Sequence, residues 1–105
     1  MKISIISASH RKNSQSKRVS DLLHNNLLNI NSGLKIFSLD LADASLPFWS
    51  PDKKDGKGVW GETWNSISDN LNKSDGFILV VPEYGGMATP AAKNIFLLCG
   101  NGEFA

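Results

Sequence analysis

Lys2-Ile3-Ser4-Ile5-Ile6-Ser7-Ala8-Ser9-His10-Arg11-Lys12-Asn13-Ser14-Gln15-Ser16-Lys17-Arg18 is the stretch on which the reading of this chain turns. Ile3, Ile5 and Ile6 form a short apolar run, and small and polar residues follow at once. This is the pattern of a buried strand, a tight loop and the first turn of a helix. The charge on that turn is inverted. A helix N-terminus carries partial positive charge and favours Asp or Glu, yet Arg11, Lys12, Lys17 and Arg18 stand here, with no acid before Asp21. Two readings fit. In one, an anion such as a phosphate is held by free backbone N–H groups, the hydroxyls of Ser9, Ser14 and Ser16, and the Arg11 guanidinium. In the other, the loop is a solvated basic turn and Ser14 is an ordinary N-cap.

Outward from this stretch, Val19, Leu22, Leu23, Leu27 and Ile30 recur at helical spacing, which predicts an amphipathic helix from about Ser16 to about Leu28. Leu34–Leu41 reads as a second strand. A long connection from Asp40 to Val59 follows. Trp60, Trp64, Ile67 and Leu71 then mark one face of a second helix ending near Asn72. Phe77–Val81 is an unbroken apolar run stopped by Pro82, read as a strand buried on both faces in a parallel sheet. Pro82–Ala88 reads as a loop. Thr89 is a good N-cap and Pro90 a good first residue for a third helix that runs to about Cys99, with Gly100 and Gly102 able to end it. Alternation of strand and helix predicts an α/β fold with a parallel sheet. The first strand is central, with the second and third on either side, giving the order 2-1-3. The Ser7–Ser16 and Pro82–Met87 loops leave adjacent strand ends at the point where the strand order reverses. Ligands of such sheets bind there.

The chain has 105 residues and a formal charge of +1, and 41% of its residues are hydrophobic. That length is one domain, and the charge supplies no field that would select nucleic acid or a membrane surface. The single cysteine, Cys99, excludes an internal disulfide and suits a reducing, cytoplasmic compartment. It reads as a packed small residue. No stretch is long and apolar enough for a membrane helix or a signal-peptide core. Gly56, Gly58 and Gly61 match a G-x-G-x-x-G pattern, but a polar loop and not a strand precedes them, so they read as a surface connection. His10 and His24 lack partners at metal-ligand spacing, and no metal site is expected.

Two motifs resemble those of a known family. Ser7–Ser16 resembles the G-S-x-R-x-x-S phosphate loop of the NAD(P)H-dependent FMN reductases, which are flavodoxin-like flavoproteins. Pro82-Glu83-Tyr84-Gly85-Gly86, followed by Pro90, Lys93 and Asn94, resembles the P-E-Y-N-G stretch of the same family and the helix after it. The resemblance implies a flavodoxin-like three-layer sandwich, of which this chain supplies the first three strands. It implies FMN and NAD(P)H as cofactors, and hydride transfer through FMN to a small acceptor such as a quinone or free flavin. It further implies that Ser9, Arg11, Ser14, Gln15 and Ser16 surround the FMN phosphate, and that Pro82, Glu83, Tyr84, Gly85 and Gly86 lie against the flavin ring. No side chain is expected to act as a catalytic residue, because the flavin itself accepts the hydride.

This sequence departs from the pattern at Ala8, where the family has glycine, and at Gly85, where it has asparagine. Family members have five strands, and the chain supplies three. It therefore reads as a single domain, 1–105, truncated at its C-terminal end, unless partner chains complete the sheet. An unpaired Phe77–Val81 edge leads to the expectation of a homo-oligomer. A flavodoxin-type electron carrier and an inactive truncated fragment are the alternative readings. The T-x-T-G-x-T loop typical of carriers is absent.

Overall fold

A computed structural model describes residues 1–53 and 59–100. Gly56, Gly58 and Gly102 lie outside the described residues. The central strand β1 (Lys2–Ser7) pairs in parallel with β2 (Lys35–Asp40) on one side and β3 (Gly76–Val80) on the other, in the order β2-β1-β3. This is the expected α/β, flavodoxin-like arrangement. The ladder is extended at its C-terminal end, where Ala8 N–H donates to Val80 O (2.9 Å) and Leu41 N–H to Ser7 O (2.9 Å).

Helices cover both faces of the sheet. Alternate residues of a strand face opposite sides. Ile6 joins Leu39 in one buried cluster with Trp64, Ile67 and Leu71 of α2 (Glu62–Asn72) and Ile95 and Leu98 of α3 (Pro90–Leu98). Ile5 and Ser7 point the other way and line a small cavity with Lys17 and Ser20 of α1 (Gln15–Ile30). Cys99 packs against the α2–α3 cluster.

Four differences from the sequence reading have physical causes. Trp60 is buried in the core cluster but lies outside α2. Gly61, at φ +94°, turns the chain before the helix begins, a conformation open to glycine. The apolar stripe of α1 is only partly covered: Val19, Leu22 and Ile30 are exposed, and the buried residues of the helix are Ser16 and Ser20. Phe77–Val81 is not buried on both faces. The strand ends at Val80, all five of its residues are half-buried, and Val81 is exposed, because β3 is an edge strand bonded to β1 alone among the described residues. Lastly, the Pro82–Ala88 segment holds a hairpin of β4 (Glu83–Tyr84) and β5 (Met87–Ala88).

Candidate functional site

The loop after β1 and the hairpin after β3 leave neighbouring strand ends, and side chains join them. Ser9 is buried, and its Oγ accepts from Arg11 N–H (3.1 Å), which folds the loop back on itself. Asn13 then takes φ +53°, a left-handed conformation that asparagine tolerates better than most residues. Ser14 follows as the N-cap of α1, its Oγ accepting from Lys17 N–H (3.1 Å). Thus Ser14 does the work of a cap, as the plainer of the two readings has it. Its buried hydroxyl still stands beside the first N–H groups of α1, which no helix can satisfy from within.

The charge inversion of the sequence is partly relieved. Lys17 turns along the helix and pairs with Asp21 at 2.6 Å, and the carboxylate raises the Lys17 pKa. Arg11 forms no ion pair among the described residues. No acid stands in the first turn of α1. The start of α1 thus combines the helix dipole with a loop that carries Arg11, unpaired among the described residues, and this combination favours an anion. Ser16 is buried, and its carbonyl accepts from Ser20 Oγ (2.8 Å). Gln15 is exposed.

The hairpin has the geometry its glycines permit. Tyr84 and Met87 pair directly, and the two residues between them, Gly85 and Gly86, have φ +58° and +82°. This is a two-residue turn of the mirror-image type that matches strand twist. Glu83 closes it by accepting the Gly86 N–H through one carboxylate oxygen, Oε1. A Cβ on Gly85 would meet no atom within 4 Å. Asparagine, which also visits the left-handed region, fits the same place. Gly85→Asn is expected to leave the unfolding midpoint unchanged. Gly85→Val is expected to cost about 1–2 kcal/mol. Thermal unfolding by circular dichroism checks both.

Tyr84 links the hairpin to the loop. Its hydroxyl accepts from His10 N–H (3.3 Å) and lies 3.3 Å from Ser9 Oγ. The Ser9 bond, the His10 N–H and the nearby Arg11 charge lower the Tyr84 pKa below its ordinary value. Tyr84 is the only tyrosine in the chain, so ultraviolet titration reads it alone. The midpoint is expected below the usual value of about 10, and inorganic phosphate is expected to raise it by placing negative charge beside the phenol. A midpoint at the ordinary value, indifferent to phosphate, would show that the hydroxyl leaves the loop in solution.

Three further residues build the site and are not among the expected phosphate or ring contacts. His10 accepts from Ala91 N–H (2.9 Å) through Nε2, and its ring lies 5.8 Å from that of Tyr84. Thr89 is fully buried: its Oγ1 donates to Ala8 O (2.6 Å) and accepts from Ala92 N–H (3.1 Å). Asn94 accepts from Trp49 N–H (2.8 Å) and donates to Pro47 O (3.0 Å), strapping the connection after β2 to α3. Only Thr89 carries a local sequence signal, that of an N-cap. The structure thus brings Ser9, Ser14 and Ser16 to one helix start and joins Ser9 to Tyr84, while Arg11, Gln15 and Glu83 are exposed at the surface beside them.

No helix among the described residues is long and apolar enough to cross a membrane. The family model described as NADPH-dependent FMN reductase matches residues 1–105. No curated protein sequence matches the chain.

Proposed function

Because this chain belongs to the NADPH-dependent FMN reductase family, we propose that it binds FMN and passes hydride from NAD(P)H to a small acceptor such as a quinone or free flavin. FMN is the family's flavin cofactor and NAD(P)H its electron donor. The observation that carries the proposal is the joining of an acid-free helix start to a glycine-turned hairpin through the Tyr84 hydroxyl. In this reading Ser9, Arg11, Ser14, Gln15 and Ser16 hold the phosphate. Arg11 supplies the charge, Gln15 and Ser16 the first N–H groups of α1, and the buried hydroxyls fix the phosphate's position. Pro82, Glu83, Tyr84, Gly85 and Gly86 form the platform for the ring. The absence of side chains at Gly85 and Gly86 lets main chain approach a planar ligand closely. Glu83 shapes that platform through its bond to Gly86.

Bound FMN supplies the hydride chemistry. The protein's share is to bind, orient and exclude water. Thr89 and His10 serve this by tying the loop to the start of α3, so that the phosphate end and the ring end keep a fixed separation. A cytoplasmic location and assembly with further copies belong to the same proposal. The lone Cys99 supports the first, and the apolar residues of β3, an edge strand among the described residues, support the second.

The test is NADPH oxidation by the purified chain with added FMN, with and without menadione, alongside flavin absorbance of the protein peak in size-exclusion chromatography. Co-eluting flavin with NADPH consumption supports the reading. Flavin without consumption points to an electron carrier, and neither result points to an inactive remnant.

A further inference from the structure

A cavity of about 420 Å³ lies beside the loop site, sharing His10 with it. Its walls are Leu41, Leu46, Phe48 and Trp49 from the connection after β2, and Pro90 and Leu97 from α3. Volume and lining fall within the range of small-molecule sites. Several of the polar side-chain groups on the wall already have partners. Asn94 uses its amide oxygen on Trp49 N–H and its amide nitrogen on Pro47 O. His10 Nε2 is taken by Ala91 N–H. No Asp or Glu among the described residues lines the cavity. The Lys93 ammonium remains, exposed and outside any ion pair among the described residues.

Apolar walls with two aromatic rings and one uncommitted cation select a definite chemistry. The cation favours an anion over an organic cation, and the apolar walls favour an aromatic body over a sugar or a bare phosphate. From this we infer that the cavity is a second binding site, separate from the proposed FMN site, for a small aromatic monoanion whose ring lies between Trp49 and Leu97 and whose charged group faces Lys93. The bonds of Asn94 hold the two walls at a fixed distance, so the cavity is formed before the ligand arrives. The inference goes beyond the proposed reductase reading and does not depend on hydride transfer.

Trp60 and Trp64 are buried in the core, at 5% and 2% exposure, while Trp49 is half-buried on the cavity wall. Quenching of tryptophan emission therefore reports occupancy, and Trp49→Phe is expected to remove most of the quenching. The probes are 2-naphthalenesulfonate and its neutral counterpart 2-naphthalenemethanol, titrated into the full chain with and without saturating FMN. Saturable binding of the sulfonate, tighter than that of the alcohol, is expected. Lys93→Gln is expected to weaken the sulfonate by about three- to fivefold, the scale of an exposed ion pair, and to leave the alcohol unchanged. Ala44→Phe, which adds a ring at the wall, is expected to weaken both; unfolding curves for each variant establish that the fold is kept. No saturable binding, or equal loss of both probes in Lys93→Gln, overturns the inference. So does full competition by FMN, which would make the cavity part of the flavin site. FMN affinity is read separately from flavin fluorescence, so failure here leaves the flavin reading testable on its own.

Discussion

Trp64→Ala is expected to lower the unfolding free energy by about 3–5 kcal/mol, the range for truncating a large aromatic in a core. Trp64 is 2% exposed and belongs to the cluster that joins α2 to Ile6 and Leu39 of the sheet and to Ile95 and Leu98 of α3. Its removal leaves a void beneath α2 that the rigid sheet cannot fill, and the lost contacts add to the lost transfer energy. Cavity energetics set the size of the effect; position limits its reach. Trp64 touches neither the Ser9–Ser16 loop nor the hairpin through any hydrogen bond, so flavin affinity per folded molecule should be preserved. Denaturant titration followed by tryptophan emission measures the change. A midpoint equal to that of the unaltered chain would mean that α2 is docked loosely in solution.

Arg11→Ala is expected to weaken FMN binding by about 1.5–3 kcal/mol, the value of a hydrogen bond to a charged group. Among the basic residues of this stretch, Lys17 is spent on Asp21, and Arg11 sits beside Ser9 on the folded-back loop. The side chain is exposed, so its removal opens no cavity and the unfolding midpoint should hardly move. Riboflavin, which lacks the phosphate, should bind the two forms alike, and the ratio of FMN to riboflavin affinity by fluorescence titration isolates the phosphate contribution. Equal loss for both flavins would move Arg11 from the phosphate to the ring or to the fold.

Much of this was written into local pattern. The apolar runs at Ile3–Ile6 and Phe77–Val81, with helical periodicity between them, suffice for a parallel sheet in the order 2-1-3, since few connections are sterically allowed. Ser14 and Thr89 announce their helices because a cap needs only its own side chain and the next turn. What escaped the sequence depends on contacts between distant residues, or on segments too short to show a period. The hairpin strands are two residues each, below the length at which alternation is visible. Trp60 keeps the spacing of the α2 stripe yet lies outside the helix, because the conformation of Gly61 overrides the pattern. The bond between Asn94 and Trp49, and that between Tyr84 and His10, join elements far apart in the chain, and no local rule reaches that far. The apolar composition of β3 by itself predicts full burial, but burial needs a neighbour; it is the count of three strands, not the composition, that leaves Phe77–Val81 at an edge among the described residues.

The place of β1 in the sheet bears on how the protein folds. It precedes both of its partners in the chain, Lys2 pairing with Lys35 and Ile3 with Gly76. During synthesis the most buried strand of the sheet emerges before either of its partners. The β1–β2 pair can close once α1 has been made, but the other edge of β1 stays open until β3 appears. Closing a loop of that span delays the reward for its entropy cost, and parallel sheets rich in distant pairings fold slowly for this reason. Over that interval Ile3, Ile5 and Ile6 are available to chaperones and to other nascent chains. The serines that alternate with them, Ser4 and Ser7, lower the apolar density of the strand at the stage when it is most exposed to misassociation.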